Sequence, residues 1–536
     1  MTPAPDVSVI VAVYNTMPYL TECLDSLVGQ SIGLDRLEIV AVDDGSTDDS
    51  GKELDRYAER YPDTVRALHQ ANSGGPAAPS NRGLELARGR YVYFVGSDDR
   101  LGLEALERLV TAADEYGSDV VVGKMVGTGG RYVHQALYKS TEKDVGLHDS
   151  ALPWTLANTK LFRRELVERH GLRFPEDMPV GSDQPFTIEA CVRARRISVL
   201  ADYTYYYAVR REDAGNITYR ANHLSRLECT GKIMRHTAGL IEAGPERDAV
   251  LRRHFTWELA KLFRPDFLEL DRDTQEKLCR GVARLCDDYL TDAIRTKMGV
   301  KERLLISLAQ RGETDALREA VRHEAEHGAP PFLLEDGRAY ACYPGFRDAE
   351  LAAPDDWFEI LEEAVSGRLG KGVEGLGAEW LPDGRLSVTA RIGVTGDTGS
   401  VSVRLADRAM PKSADKPGAR RLPDGHELPR HTGETTTEPD PGGAGTVVRA
   451  RVPVPAGTGR WGVRLYLDVA GSTYEIPVPA AEGTLLHTSR WVRSRLHRHT
   501  ATANNKGRLV VTATAVPPRH ALASGLRRLV PGLGRK

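Results

Sequence analysis

The sequence predicts an α/β domain with a mostly parallel sheet, then a helical segment, then a C-terminal antiparallel β-sandwich. Three patterns carry this. Strand and helix signals alternate through the N-terminal third, and residues 131–207 are less regular. Residues 221–327 show apolar positions at helical spacing with few turn signals. From about Ala378 apolar and polar residues alternate at period two, between turns rich in Gly, Pro and Asp. A chain of 536 residues is long for one domain. We expect boundaries at 1–220, 221–330, 331–377 (a linker), 378–516 and 517–536.

The β-branched run Val7–Val13 reads as a buried strand. A helix follows from Pro18 to Gln30, with Pro at its first turn and Leu20, Leu24 and Leu27 on one face. Leu37–Val42 is the second strand, and Ser46 or Asp48 can cap the helix that runs to Arg60. Val65–His69 is the third strand, Gly74–Ala87 a helix opened by glycine, and Tyr91–Val95 the fourth strand. Glu104–Tyr116 is helical and Asp119–Gly123 extended. This order implies parallel strands with right-handed crossovers. Asn158–His170 and Gln184–Ala194 read as helices and Tyr203–Val209 as a strand. Leu251–Phe263 and Thr274–Tyr289 carry the helical segment. Strands of the sandwich begin with Leu386–Ile392, Val401–Leu405, Val447–Val452, Trp461–Leu467 and Leu509–Thr514, and the polar stretch Met410–Gly445 reads as a long loop.

A net charge of −3 argues against general nucleic-acid binding, which calls for a strongly basic domain. Six cysteines without CxxC spacing suggest a reduced, cytoplasmic setting rather than a disulfide framework or a zinc site. Val7–Val13 is too short, and too acidic in its approach at Asp6, for a signal peptide. No apolar run nears the ~20 residues that span a bilayer, so any membrane contact is expected to be peripheral. The tail Arg519–Lys536 is basic, with Leu522, Leu526 and Leu529 on one helix face.

Two acidic clusters sit where chemistry is expected. Val42-Asp-Asp-Gly-Ser-Thr-Asp48 and Gly96-Ser-Asp-Asp99 each follow a predicted strand. Carboxylates past the C-terminal ends of parallel strands are where an open α/β sheet binds its ligand. Taken singly, the first cluster is equally a set of helix caps and the second a solvated turn.

Four motifs in order narrow the choice. Val7–Asn15, Val42–Asp48, Asn72-Ser-Gly-Gly75 with Asn81-Arg-Gly83, and Phe94–Asp99 together resemble the family 2 glycosyltransferases of the GT-A (Rossmann-like) fold. The resemblance implies that Val13, Tyr14 and Asn15 flank a uracil base, that Asp43 or Asp44 hydrogen-bonds it, and that Asn72 lines the nucleotide pocket. The family's metal motif usually reads Asp-Ser-Asp-Asp; here the first carboxylate is Gly96, leaving Ser97, Asp98 and Asp99 to meet the nucleotide and a manganese or magnesium ion. Such ions prefer carboxylate oxygen, so one or two Asp suffice. Ser80 stands where the family commonly has Arg, and Arg82 is a candidate replacement.

Transfer also needs a base for the acceptor hydroxyl. The family often carries Glu-Asp for this, with the Asp as base; here Ser182 replaces the Glu and Asp183 remains, within Pro175–Phe186. Asp183 is therefore the candidate base, and it is also placed to cap the following helix; Glu176 and Asp177 are runner-up acids. Tyr207, Arg210 and Arg211 match a Tyr-rich segment of the family and are candidate contacts for the diphosphate or an anionic acceptor.

The layout, with Pro179–Phe186, is similar to bacterial wall-teichoic-acid and cell-surface polysaccharide glycosyltransferases. It implies a metal-dependent inverting hexosyltransferase that uses a UDP-sugar. The acceptor would be a hydroxyl of a cell-wall or surface glycopolymer, such as a polyol-phosphate chain. The β-sandwich would bind polymer or build a homo-oligomer. Two alternatives stay open: a non-catalytic carbohydrate-binding scaffold of the same fold, suggested by Gly96, Ser80 and Ser182, and a transferase using another nucleotide-sugar.

Overall fold

The computed structural model describes residues 4–211, 222–396, 398–407, 418–443, 445–469, 471–492 and 495–517. The basic tail beyond 517, and the expected boundary at 220–221, lie outside them. The chain forms two compact units, one of residues Met1–Met298 with Leu308–Thr314, the other of Gly299–Ser307 with Asp315–Lys536.

The first unit is built on a seven-stranded sheet. Its strands are β1 (Val7–Val13), β2 (Leu37–Asp43), β3 (Val65–His69), β4 (Tyr91–Gly96), β6 (Val120–Gly123), β8 (Leu161–Arg163) and β9 (Ile197–Leu200), in the order β3-β2-β1-β4-β8-β6-β9. All neighbours are parallel except β8, which runs antiparallel to both β4 and β6. A small second sheet joins β5 (Arg100–Leu101), β7 (Met125–Thr128) and β10 (Tyr206–Val209). The near-continuous Val/Ile character of β1 and β2 follows from burial on both faces. One face is covered by α1 (Tyr19–Val28), α2 (Ser50–Arg60) and α4 (Ala105–Tyr116). The other is covered by α3 (Ala77–Leu86), α5 (Arg164–Arg169), α6 (Asp183–Arg193) and α7 (His223–Leu240).

The helix expected at Asn158–His170 is corrected. Leu161–Arg163 is the antiparallel strand β8, and only Arg164–Arg169 is helical. Three residues slotted between two strands are too few to show period-two alternation, so the helical spacing of the following turn dominated the pattern. Beneath α6, Phe186 stacks on Phe174 at 4.4 Å between centroids and meets Phe94 and Phe162 edge-on at 5.5 and 5.3 Å. These rings fix the first turn of α6 against the sheet.

Helices α8 (Pro245–Arg253) and α9 (Arg272–Tyr289) continue this unit, with α9 capped by Asp271, which accepts from Thr274 N. The expected helix Leu251–Phe263 begins in the last turn of α8 and continues as a π-helical turn, His254–Leu259, and a tight 3₁₀ turn, Ala260–Phe263.

In the second unit the predicted linker 331–377 is instead ordered. Phe332–Glu335 and Arg338–Ala341 form a hairpin on Asp336-Gly337, both with positive φ (48° and 73°), the geometry a two-residue hairpin loop requires. Glu362–Lys371 is a helix, and strand Val373–Trp380 begins inside the glycine-rich stretch. A Cβ on Gly375 would lie 2.1 Å from the Pro479 carbonyl, so this glycine marks a close backbone approach rather than a flexible joint.

Two antiparallel sheets follow, as the period-two pattern predicts. One contains Val373–Trp380, Leu386–Ile392, Thr446–Val452 and Glu434–Pro439; the other is centred on Gly459–Val469 and Leu509–Ala515. The polar loop expected over Met410–Gly445 lies partly outside the described residues, at 410–417 and 444, and within the rest it is corrected. Glu434–Pro439 pairs with Thr446–Val452 as an exposed edge strand, and such a strand has no apolar alternation to reveal it.

Phe186 is almost fully buried. Substitution Phe186→Ala is expected to cost about 3–5 kcal/mol of stability by chemical denaturation, the usual range for a buried aromatic.

Candidate functional site

The C-terminal ends of β1, β2 and β4 converge on one cleft of about 500 Å³. Val13 and Tyr14 line it, and the backbone then turns at Asn15, whose φ is +49°. Asn15 staples β1 to the loop after β2. Its Oδ1 accepts from Thr47 N at 2.7 Å and Asp48 N at 3.2 Å, and its own N–H donates to Ser46 Oγ at 3.0 Å. Its side chain is thus committed to the loop rather than to the cleft.

The two acids at the end of β2 have separate duties. Asp43 points away from the cleft, accepting from Ser46 N at 3.0 Å and meeting His69 Nδ1 at 3.0 Å. Burial pushes its pKa up, but the bonds from Ser46 and His69 outweigh it and hold the carboxyl below the usual range. Asp44 lines the cleft, held by Gln70 Nε2 at 2.6 Å, Ser73 Oγ at 2.8 Å and Ser73 N at 3.0 Å. Asn72 donates to the Asp44 carbonyl at 3.0 Å and also lines the cleft. Of the two candidates for holding a base, Asp44 is the one that lines the cleft.

After β4, Ser97 and Asp98 face the cleft. Asp99 is bound into the protein: Oδ2 accepts from Tyr206 OH at 2.6 Å, and Oδ1 from Val209 N at 2.7 Å and Arg131 Nη1 at 3.1 Å. Burial is the main cause that pushes its pKa up to about 6, with Arg131 opposing and Asp98 adding to it. Asp99 lines the cleft beside Asp98, with both of its oxygens hydrogen-bonded within the protein. Gly96 makes this packing feasible. A Cβ there would lie 2.9 Å from Asp99 Oδ2 and 3.2 Å from Asp98 Oδ1. Among the described residues no three His, Cys, Asp or Glu side chains form a metal cage. Asp98 beside the cleft offers the carboxylate oxygen that an ion such as Mg²⁺ takes, commonly one or two carboxylates with the substrate's own phosphates.

Asp183 is the first residue of α6 rather than its cap; Ser182 holds the cap position, buried and without a side-chain capping bond. A second cleft of about 390 Å³ shares Gly96, Asn158, Pro179 and Asp183 with the first, so Asp183 stands where the two meet. The far wall of that second cleft comes from the helical segment, through Arg226, Arg253, Trp257 and Lys261. Burial, opposed by Arg253 and Lys160, pushes the Asp183 pKa up to about 6.

Among the expected arginines and tyrosine, only Arg211 reaches the cleft, where it also donates to the Asn15 carbonyl at 3.0 Å. Arg82 is a correction: it lies on the outer face of α3, paired with Glu85 at 2.8 Å. Tyr207 is another. It points to the opposite side of β10 from Tyr206 and packs under Arg100 at 4.2 Å. Arg210 is exposed and does not line the cleft. Glu176 accepts from Asn81 at 2.9 Å, and Asp177 pairs with Lys232 at 2.8 Å, so both runner-up acids are engaged elsewhere. Sequence reasoning missed Tyr206, which strand alternation in the Tyr-rich run could have placed inward. It also missed Arg131, which comes from an irregular segment without any pattern.

A sheet with a nucleoside-type acidic loop after β2, a reduced acidic motif after β4 and a carboxylate facing both clefts defines a GT-A transferase, and the chain belongs to glycosyl transferase family 2. The family model matches residues 8–173, and a second model, the glycosyl transferase TarS linker domain, matches residues 230–321. A poly(ribitol-phosphate) beta-glucosyltransferase of Bacillus spizizenii is 42% identical over 206 residues, 38% of this chain and 32% of that enzyme. The chain thus matches about a third of the length of that relative. The crystal structure of S. aureus TarS shares the fold over 96% of this chain and 86% of its own, with a TM-score of 0.61 and 22% identity. The structure of S. aureus TarS 1-349 in complex with UDP-GlcNAc is 28% identical, covers 66% of this chain and 99% of that one, and has a TM-score of 0.56.

Tyr206→Phe removes a buried donor to a carboxylate. It is expected to lower stability by about 1.5–3 kcal/mol in urea denaturation, with a larger loss for Asp99→Ala.

Proposed function

We propose that the protein is an inverting hexosyltransferase that moves a sugar from a UDP-sugar to a hydroxyl of a polyol-phosphate chain of the teichoic-acid type. The observation that carries this reading is Asp183 at the junction of the two clefts. Donor and acceptor enter from opposite sides and meet at one carboxylate. The first cleft takes the nucleotide. Asp44 and Asn72 hold the base, Val13 and Tyr14 flank it, and Arg211 faces the diphosphate. The second cleft, with Arg226, Arg253 and Lys261, suits an anionic acceptor. The relatives' names support the substrates, and a β-linked product from an α-linked donor requires inversion.

In the reaction the acceptor oxygen forms a bond to the anomeric carbon as the bond to UDP breaks. The bonding pair leaves with UDP, and Asp183 receives the hydroxyl proton. Asp98 would hold a manganese or magnesium ion, which when bound neutralises charge on the leaving diphosphate. Among the described residues no helix is long and apolar enough to cross a membrane. We place the protein in the cytoplasm, with peripheral contact at the inner membrane face and self-association through the C-terminal sheets.

The deciding experiment is UDP release from a panel of nucleotide-sugars, with manganese, with and without a poly(ribitol-phosphate) acceptor. Acceptor-dependent release from a UDP-sugar is expected. Binding without turnover of any donor would instead favour a carbohydrate-binding scaffold. Asp183→Asn is expected to keep UDP affinity by calorimetry while lowering kcat by about 10²–10⁴-fold. Asp98→Ala should remove the response to added manganese. A base must be deprotonated to act, so kcat/KM should rise with pH through a limb near 6 and level above it.

A further inference from the structure

Behind Asp183 lies a buried polar relay that joins Arg253, which also lines the second cleft, to the first turn of α6. Gln184, the next residue on α6, accepts at Oε1 from Arg253 Nη1 at 2.8 Å and lies 3.1 Å from His254 Nε2. The same Arg253 Nη1 is 2.9 Å from Glu258 Oε1, and Lys261 Nζ is 3.5 Å from Glu258 Oε2. Gln184, Arg253 and His254 are all more than nine-tenths buried, at 8%, 9% and 0% exposure.

The backbone is shaped for this contact. In an α-helix residues five apart fall on different faces, whereas a π-helical turn brings them together. The turn His254–Leu259 follows Arg253 directly and returns Glu258 to it. A π-turn is a less favourable backbone arrangement than α-helix, and here it assembles one cation and one anion against the first turn of α6.

We infer that Arg253 is a positioning residue: it clamps the first turn of α6 through Gln184 and, balanced by Glu258, sets the charge that Asp183 experiences. The helical segment is then part of the catalytic machinery rather than a spacer. The inference rests on the reading of Asp183 as the base. Arg253 and Lys160 favour the ionised form of Asp183 and Glu258 opposes it, and Arg226, Lys261, Asp98 and Arg211 line the clefts it faces. Lys160 donates to the Thr155 and Ala157 carbonyls.

The two ends of the relay must act in opposite directions. In the full-length protein, Arg253→Gln is expected to raise the acidic limb of kcat/KM by about one pH unit and lower kcat about tenfold. The donor KM and the UDP dissociation constant should not change, and Arg253→Lys should restore much of the rate. Glu258→Gln should move the limb downward, and the double variant should return it toward wild type. Gln184→Leu keeps the charges but cuts the clamp, so kcat should fall with the limb unmoved. Unmoved limbs, shifts of the same sign in both single variants, or an Arg253→Gln effect confined to acceptor KM would each overturn the inference. If Arg253→Gln fails to bind UDP, Glu258→Gln and the double variant decide the matter. Where no polymer is accepted, UDP release from the donor alone supplies the profile. Full turnover by Asp183→Asn would instead remove the general-base reading itself.

Discussion

A carboxylate removed from water must find hydrogen bonds or opposite charge, or it takes up a proton. The catalytic unit is arranged around that constraint. Its sheet delivers four aspartates to one end and α6 brings a fifth, and three of them are held by the hydrogen bonds that follow. Asp43 is bonded to Ser46 and His69, Asp44 to Gln70 and Ser73, and Asp99 to Tyr206, Val209 and Arg131. These bonds hold the loops after β2 and β4 in place and join the main sheet to β10. Asp98 lines the first cleft and Asp183 lines both, and these are the acids proposed for the chemistry.

The same constraint explains the departures from the family's motif. Gly96 leaves out a carboxylate where the side chains of Asp98 and Asp99 already crowd the site of a Cβ. Ser182 leaves one out beside Asp183, where a second acid would raise the base's pKa further. Glu258 is the acid the structure does place near Asp183, and it is matched by Arg253 at 2.9 Å. The departures thus thin the negative charge along the cleft while keeping one acid for each step.

Much of this was legible in the sequence because it depends on long, repeated signals. β1, β2 and β4 are apolar runs ending in acidic turns, and the period-two strands of the second unit are equally plain. What was not legible depends on short elements or on contacts between distant segments. β8 has three residues, and the edge strand Glu434–Pro439 is polar throughout. Arg82 was assigned by motif position, yet Ala77, Ser80, Asn81 and Leu84 face inward at helical spacing and put Arg82 on the outside. Tyr206 and Tyr207 differ by one residue, and on a strand that difference decides between the site and the opposite face. No local pattern could have joined Arg131 to Asp99 or Arg253 to Gln184, since these pairs are set by tertiary packing.

The pairing of Arg253 with Gln184 also changes what a domain boundary means here. A division near residue 220 separates the nucleotide-binding sheet from the helices that follow. Yet the far wall of the second cleft, the Arg253 cation bonded to Gln184 and the anion balancing that cation all come from beyond it. A sheet alone would present Asp183 at the end of α6 with its first turn held only by the phenylalanine cluster beneath. Apolar packing fixes where that turn sits but exerts little control over the charge of a carboxylate. The helical segment adds what packing cannot, a buried cation at hydrogen-bond distance from the residue next to the base. For this fold the smallest unit able to tune its own base therefore includes the helices through Lys261.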